Sequence, residues 1–435
     1  MGSEKESSHV FHNTLFPKIF QTFRMAIQPS KLIIAFLAMV VICLTGWIMD
    51  FSRTVVTTPA IEGGITELQI YMTNPDKLKS HIEYYRENGE RRGVFSTLWN
   101  FAAEKFHGTL KSLFAFNLPG VAANITEYFK ALRWAIRYHF LYCIILFAIM
   151  LAVISVAGGS LCRIAALQFA RGEKPGLTEA LRFSTKKFLS FFAAPLVPAG
   201  IIVFLSLFIF LLGLIGIIPR AGELIIGVFM LLALIAGSLI AVVLIGTIAG
   251  FNLMFPAVAY DGSDCLDAIS RSFSYVYSKP WWMGFYTAIA AVYGAVCYIF
   301  VRFFVFLWLW VTHQSLQLGA RFASWFFGLF GIGGKVAHKL AAIWPEPSFM
   351  NLLGSSDLAT ANWSESLAAF LVYLVILVVI GLLVAFIISF YFSANTIIYS
   401  LMRKRVDNTA LEDIFSPFDD VQAEPAAAEE DPISQ

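Results

Sequence analysis

The chain has 435 residues, 58% of them hydrophobic and only 14% charged, with a mean hydropathy of +0.72 and a formal net charge of +2. A soluble domain carries about 25% charged residues, so a soluble globular protein is excluded, and nothing in the chain is basic enough to hold nucleic acid. One apolar run of the ~20 residues that cross a hydrocarbon core is open to reading as a buried core helix. Five or six such runs in one chain are not.

Residues 1–31 form a polar leader, read as cytoplasmic, that closes on an amphipathic piece, Phe11–Ile27, with Phe16, Phe20 and Phe23 near helical spacing and Lys18 and Arg24 among them. The first apolar run begins behind it, at Leu32, so a retained signal anchor is expected. Glu6 stands where myristoylation needs Ser or Thr. Residues 32–49 are the first transmembrane helix. An extracytoplasmic insert follows at 50–137, with turn signals at Gly63-Gly64 and Asn74-Pro75 and an amphipathic second half built on Leu98, Phe101, Ala102, Leu110, Leu113 and Phe114. Such helices either lie in the membrane interface or pack on a small folded unit, and the pattern alone does not choose.

Residues 138–301 hold transmembrane helices 2 to 5, at about 139–158, 189–218, 223–254 and 282–301. Pro195 and Pro198 predict a kink in the third, or a separate short helix at its start. The fourth is longer than the bilayer core is thick, so it must tilt. A second extracytoplasmic insert is expected at 302–364, with an aromatic stretch of Phe322, Trp325, Phe326 and Phe330 broken by glycines. Transmembrane helix 6 lies in 365–405, with its apolar run at about 367–390, and Arg403-Lys404-Arg405 closes it. No Lys or Arg follows, while nine acids do, so 406–435 reads as an acidic disordered tail.

Lys18, Arg24 and Lys31 precede the first span. Arg163, Arg171, Lys174, Arg182, Lys186 and Lys187 follow the second, and the Arg-Lys-Arg triplet follows the sixth. Six spans bring these clusters to one side, which the positive-inside rule makes cytoplasmic. Both termini are then cytoplasmic, both inserts face outward, and the expected location is the bacterial inner membrane.

The junction FPAVAYDGSDCLDAISRSFSYVYSKPWW, residues 255–282, shows how the chain turns at that side. Chain leaving hydrocarbon must satisfy its backbone at once. Gly262 suits a tight turn after Asp261, and Ser263 or Asp264 can cap the helix that follows. Leu266, Ile269, Phe273 and Val276 are predicted to form its apolar stripe, with Asp267, Ser270, Arg271 and Ser274 wet. Pro280 opens the next span, and Trp281 and Trp282 suit the interfacial aromatic belt. A shorter copy runs through Thr178-Glu179-Ala180, Ser184 and Lys186-Lys187, and partial copies stand before span 1 and after span 6. The expected fold is therefore all-α integral membrane, about six transmembrane helices with interfacial amphipathic elbow helices, in parallel two-helix repeats.

The elbow FPAVAYDGSDCLDAISRSFSYV resembles the bacterial membrane domain found ahead of some glycerophosphodiester phosphodiesterases, and related polytopic families of uncharacterised function, over about residues 140–405. The resemblance implies a fold. It brings no catalytic residue, because no soluble stretch is long enough for the phosphodiesterase barrel.

No catalytic, cofactor or metal site is expected. The seven histidines are scattered without a metal spacing, and the five cysteines form no close pair. Gly331–Lys335 fails the phosphate-loop pattern, with Leu329 where a Gly is required and Val336 where Ser or Thr is. Arg302 is placed near the far interface, where it can snorkel. Gly246 and Gly250 form a GxxxG suited to helix packing, and Asn124 and Asn362 head glycosylation sequons. The expected function is a non-enzymatic membrane scaffold or assembly component, with membrane lipids, other membrane proteins or further copies as partners. The alternative is a transporter or permease for a lipid or apolar solute.

Overall fold

The structure, a computed structural model, describes residues 15–59, 64–85, 89–328, 336–354 and 362–415. The chain divides into two compact units, one of Leu37–Val153 and one of Met1–Phe36 with Ile154–Gln435. Six helices are long and apolar enough to cross a membrane. In hydrocarbon every backbone N–H and C=O needs an internal partner, which a continuous helix supplies.

Two short helical pieces, a 3-10 turn at Phe16–Gln21 and α1 at Thr22–Ala26, lead into the first apolar helix, α2 at Pro29–Met49. The insert that follows is a small folded unit. Strands β1 (Val55–Thr57) and β2 (Glu90–Arg92) pair antiparallel with Val55 opposite Arg92, the only sheet among the described residues. Helices α3 (Glu67–Thr73), α4 (Leu78–Tyr84), α5 (Val94–Phe114) and α6 (Leu118–Tyr138) surround a core of Val55, Leu68, Tyr71, Leu78, Val94, Ala131, Trp134 and Ala135. Thr66 and Gln69 cap α3 reciprocally, side chain to backbone in each direction.

The other apolar helices are α7 (Phe140–Ala170), α9 (Phe188–Ile215), α10 (Ala221–Asp261), α12 (Pro280–Gly328) and α14 (Trp363–Val406). Between them lie α8 (Leu177–Lys186), α11 (Cys265–Ser278) and the short α13 (Val336–Ile343). Helix α9 runs unbroken through Pro195 and Pro198, so no separate short helix stands at its start. The fixed φ of proline is helical, and the helix interior tolerates the ring where neighbouring groups can take up the carbonyl it leaves free. Three apolar helices overrun the expected spans. Helix α12 has 49 residues, about 73 Å at ~1.5 Å each, and continues as helix past the expected boundary at Arg302. Helices α7 and α10 likewise continue to Ala170 and Asp261. Pro256 marked the expected end of α10 and lies inside the helix, while Arg163 and Arg302, beyond the expected ends of α7 and α12, are bonded within the protein.

The elbow helices α8 and α11 turn their inner faces onto the spans. Helix α11 buries Ala268, Ile269, Ser272, Tyr275 and Val276, whereas Leu266 is 65% exposed. The buried stripe is thus rotated from the expected one, because the apolar face of this helix meets protein. Gly246 and Gly250 admit it: a Cβ at Gly250 would stand 3.4 Å from the Ser272 Cβ, and one at Gly246 3.0 Å from the Phe273 ring. Helix α8 repeats the arrangement. Its Ser184 lies against Gly159 and donates to the Val156 carbonyl at 2.7 Å, while Ser160 donates to the Ala180 carbonyl at 3.2 Å. A third copy is assembled from the two ends of the chain, where α1 packs on α14 and Ser389 donates to the Ala26 carbonyl at 2.8 Å.

Small residues at these contacts set the helix separation. Ser272→Asp places a charge against Gly250 and is expected to cost ~3 kcal/mol or more, while Ser274→Asp on the exposed face stays within ~0.5 kcal/mol. Thermal melting in nanodiscs checks this. Equal shifts for the two variants would mean that α11 does not pack as described.

Candidate functional site

In the unit of Met1–Phe36 and Ile154–Gln435, hereafter the core unit, a network of charged side chains gathers where α10 meets α11. Helix α10 ends on Asp261, and Gly262 adopts φ +63°, its N–H donating to the Val258 carbonyl at 3.0 Å. A side chain here is excluded twice, by the left-handed backbone and by the Phe415 ring, 2.5 Å from where its Cβ would be. The turn thereby aims the Asp261 carboxylate inward, its side chain only 6% exposed.

Two guanidinium groups converge on that carboxylate. Arg271 Nη1 donates to Oδ2 at 3.1 Å, and Arg403 Nε lies 3.2 Å from Oδ1, an ionic contact without the angle of a hydrogen bond. Tyr399 donates its hydroxyl to Oδ2. Asp267 holds Arg271 from the outside, at 3.1 Å across one helical turn. Both Arg271 partners sit in or beside α11, so the sequence spacing of Asp261, Asp267 and Arg271 brings them together. Arg403 arrives from α14, 142 positions away, and was read in the sequence only as a topology signal.

Residues 407–415 fold back over this junction as a strap. Asn408, at φ +58°, turns the chain. Tyr275 donates to Asp407 at 2.5 Å, and burial with that carboxylate beside it pushes the Tyr275 phenol above its ordinary pKa, so it remains the donor. Arg403 holds Asp413 through the backbone carbonyl at 2.5 Å and the carboxylate at 3.1 Å. Arg163 reaches out of α7 to the carbonyls of Ala259 and Phe415, at 3.0 and 2.9 Å, with its guanidinium over the Phe183 ring. Arg171 donates to the Ile414 carbonyl at 3.3 Å. Tyr260 donates to the Leu411 carbonyl and accepts the Phe415 N–H on its own carbonyl at 3.0 Å. Leu411 and Ile414 of the strap are themselves buried. The expected disordered tail therefore does not begin at 406; the remainder, 416–435, lies outside the described residues.

The other elbow residues take varied places. Ser263 Oγ is buried without a hydrogen-bond partner, and Asp264 stands at the N-cap position of α11 without bonding its backbone, its carboxylate facing Lys187 at 3.9 Å. Pro280 is the first residue of α12, and Trp281 is 89% exposed. Trp282 instead carries the Arg405 guanidinium, 3.4 Å above its ring. Gly246 and Gly250 face α11 and take no part in the ion network.

Two cations are more deeply buried than their place beside an apolar run conveyed. Arg302 does not snorkel: it is 4% exposed and donates to the carbonyls of Phe349 and Met350 and to the Tyr298 hydroxyl, fastening the loop before α14 to α12. Lys31 is fully buried at the start of α2, where Nζ donates to Gln168 Oε1 at 3.0 Å and Ser393 Oγ at 3.2 Å. Among the described residues no carboxylate lies within ion-pair distance of it. An arginine or lysine at the edge of an apolar run was the available signal. The run alone does not say whether the head reaches water or protein.

Among the described residues no three His, Cys, Asp or Glu side chains gather as a metal-ligand set. The Asp261 cluster is suited to holding segments together, since its carboxylate oxygens are already engaged by two cations and a phenol. No family model matches the sequence, and the searches of curated proteins and of solved structures also return no match.

Asp261→Asn keeps the shape but leaves Arg403 and Arg271 facing a neutral amide. Breaking a buried pair from one side costs about 3–5 kcal/mol; since Arg271 is partly exposed, the lower end of that range is expected here. Asp267→Asn, on the wet side, should stay below ~1 kcal/mol. Comparable losses of melting temperature in the two variants would remove Asp261 from the centre of the network.

Proposed function

We propose that the protein is a non-enzymatic integral membrane component that serves as a scaffold or assembly partner. The observation that carries this reading is the use of charge: Asp261, Arg271, Arg403, Arg163 and Asp413 are spent on one another and on backbone carbonyls. Two grooves lie elsewhere, one of about 570 Å³ along α3 and α4 and one of about 440 Å³ between the 343–354 loop and α14. The cation clusters beside the spans support the orientation in which both termini are cytoplasmic, in the bacterial inner membrane. The partners are membrane lipids and other membrane proteins or further copies of this chain, with no nucleic acid and no cofactor. The resemblance to the membrane domain ahead of some glycerophosphodiester phosphodiesterases is in keeping with this role, since it brings no catalytic group.

A permease for a lipid or apolar solute is the second reading. What favours it is Lys31, a buried ammonium with neutral partners at a junction of three apolar helices, because charge kept within spans marks transport paths in other membrane proteins.

Native mass spectrometry of the full chain, extracted gently from its own membrane, separates the two. A stoichiometric protein partner or a defined homo-oligomer is expected. A monomer carrying one stoichiometric small solute would replace the scaffold with the permease. In the same cells, Ser80→Cys should react with an impermeant maleimide added from outside, and labelling only after permeabilisation would reverse the orientation.

A further inference from the structure

We propose that the α5–α6 hairpin is a lipid-binding element: α6 lies in the membrane–water interface with one stripe of side chains among acyl chains and a basic flank on headgroup phosphates.

Helix α6 has three faces. At ~100° per residue, Ala131, Trp134 and Ala135 share one, and all three are buried in the core of the Leu37–Val153 unit. Ile125, Phe129, Leu132 and Ile136 share a second, with Tyr128 at its edge, and every one of them is more than 40% exposed. Lys130, Arg133 and Arg137 share the third. The fold of this unit is thus already served by the first face, and the second is a separate apolar surface for something outside the unit.

Lipid fits that surface for three reasons. The stripe continues across the single residue His139 into α7, whose first turns expose Phe140, Leu141, Ile144 and Ile145, the surface of a helix apolar enough to span. A protein partner would have to cover that boundary, whereas a bilayer meets both sides of it. The basic flank adjoins the stripe, which is the order of groups in an interfacial helix, where cationic heads reach phosphates while apolar side chains enter the acyl boundary. The single acid of this flank region, Glu127, is held at 2.8 Å by Lys105 of α5 and so is withdrawn from the phosphates.

The hairpin tip adds an independent observation. Phe116 is 91% exposed and sits at φ +52°, between Phe114 and Leu118, both also exposed. A left-handed phenylalanine is strained, and glycine would make the same turn without strain. Asn117 keeps the turn closed, its N–H donating to the Ser112 carbonyl at 2.8 Å and its side chain accepting from Gly120 at 3.1 Å. The ring contributes nothing to the turn, so its gain is made outside the chain, where an exposed aromatic at the end of an apolar hairpin meets acyl chains.

The test places a photoreactive p-benzoylphenylalanine at Phe129, Ile136 or Lys130 of the full chain in nanodiscs of phosphatidylethanolamine and phosphatidylglycerol. All three positions are exposed, so the chain should fold in each case. Irradiation is expected to give several-fold more phospholipid adduct at Phe129 and Ile136 than at Lys130, read by intact-mass spectrometry. Equal adduct at all three positions, no adduct at the stripe, or cross-links from the stripe to a second copy of the chain would each overturn the proposal. None of these outcomes depends on whether the protein is a scaffold or a permease.

Discussion

The core unit depends on one carboxylate. Asp261 ends a 41-residue apolar helix and is engaged by Arg271 from the elbow helix, by Arg403 from the last helix and by Tyr399 one turn before it. A buried ionic group is seldom a net source of stability compared with an apolar substitute, but losing one partner is expensive. The network therefore acts as a registration device: each helix end must arrive with its charge in place, or the others are left unpaired. Lipid offers no hydrophobic drive between spans, so such polar junctions can set how helices end and turn.

The strap extends the same logic to backbone. Residues leaving α14 would present bare carbonyls to an apolar surface, and Arg163, Arg171, Arg403 and Tyr260 each donate to one. Three of these donors were visible in the sequence as members of cation clusters. Their common use as topology markers and as carbonyl clamps is compatible, since a guanidinium can lie at the membrane boundary and still point inward.

The apolar runs made six spanning helices and their approximate starts legible, and the Ala-to-Ser spacing shared by 180/184 and 268/272 pointed to matching elbows, which Gly159 and Gly250 now receive in the same manner. What the runs did not convey was where helices stop. Arg302 was placed near the far interface and Arg163 among the cations after the second span, because a charge beside an apolar run is usually near water, yet both find carbonyl acceptors from distant segments. The stripe of α11 was misread by part of a turn for a related reason: periodicity identifies an apolar face, but serine at 272 belongs to it only because a glycine faces it. The 407–415 strap was missed because its acids look solvated until Arg403 and Tyr275 are brought to them.

The most direct measurement compares two truncations, one ending at Val406 and one at Phe415. If the strap closes the elbow network, the chain ending at 415 melts as the full chain does. The chain ending at 406 loses the partners of Arg163, Tyr260 and Tyr275 and melts several degrees lower in nanodiscs. Equal melting of the two truncations would contradict the account, since it would mean that Asp261 and its arginines hold the helices without the strap.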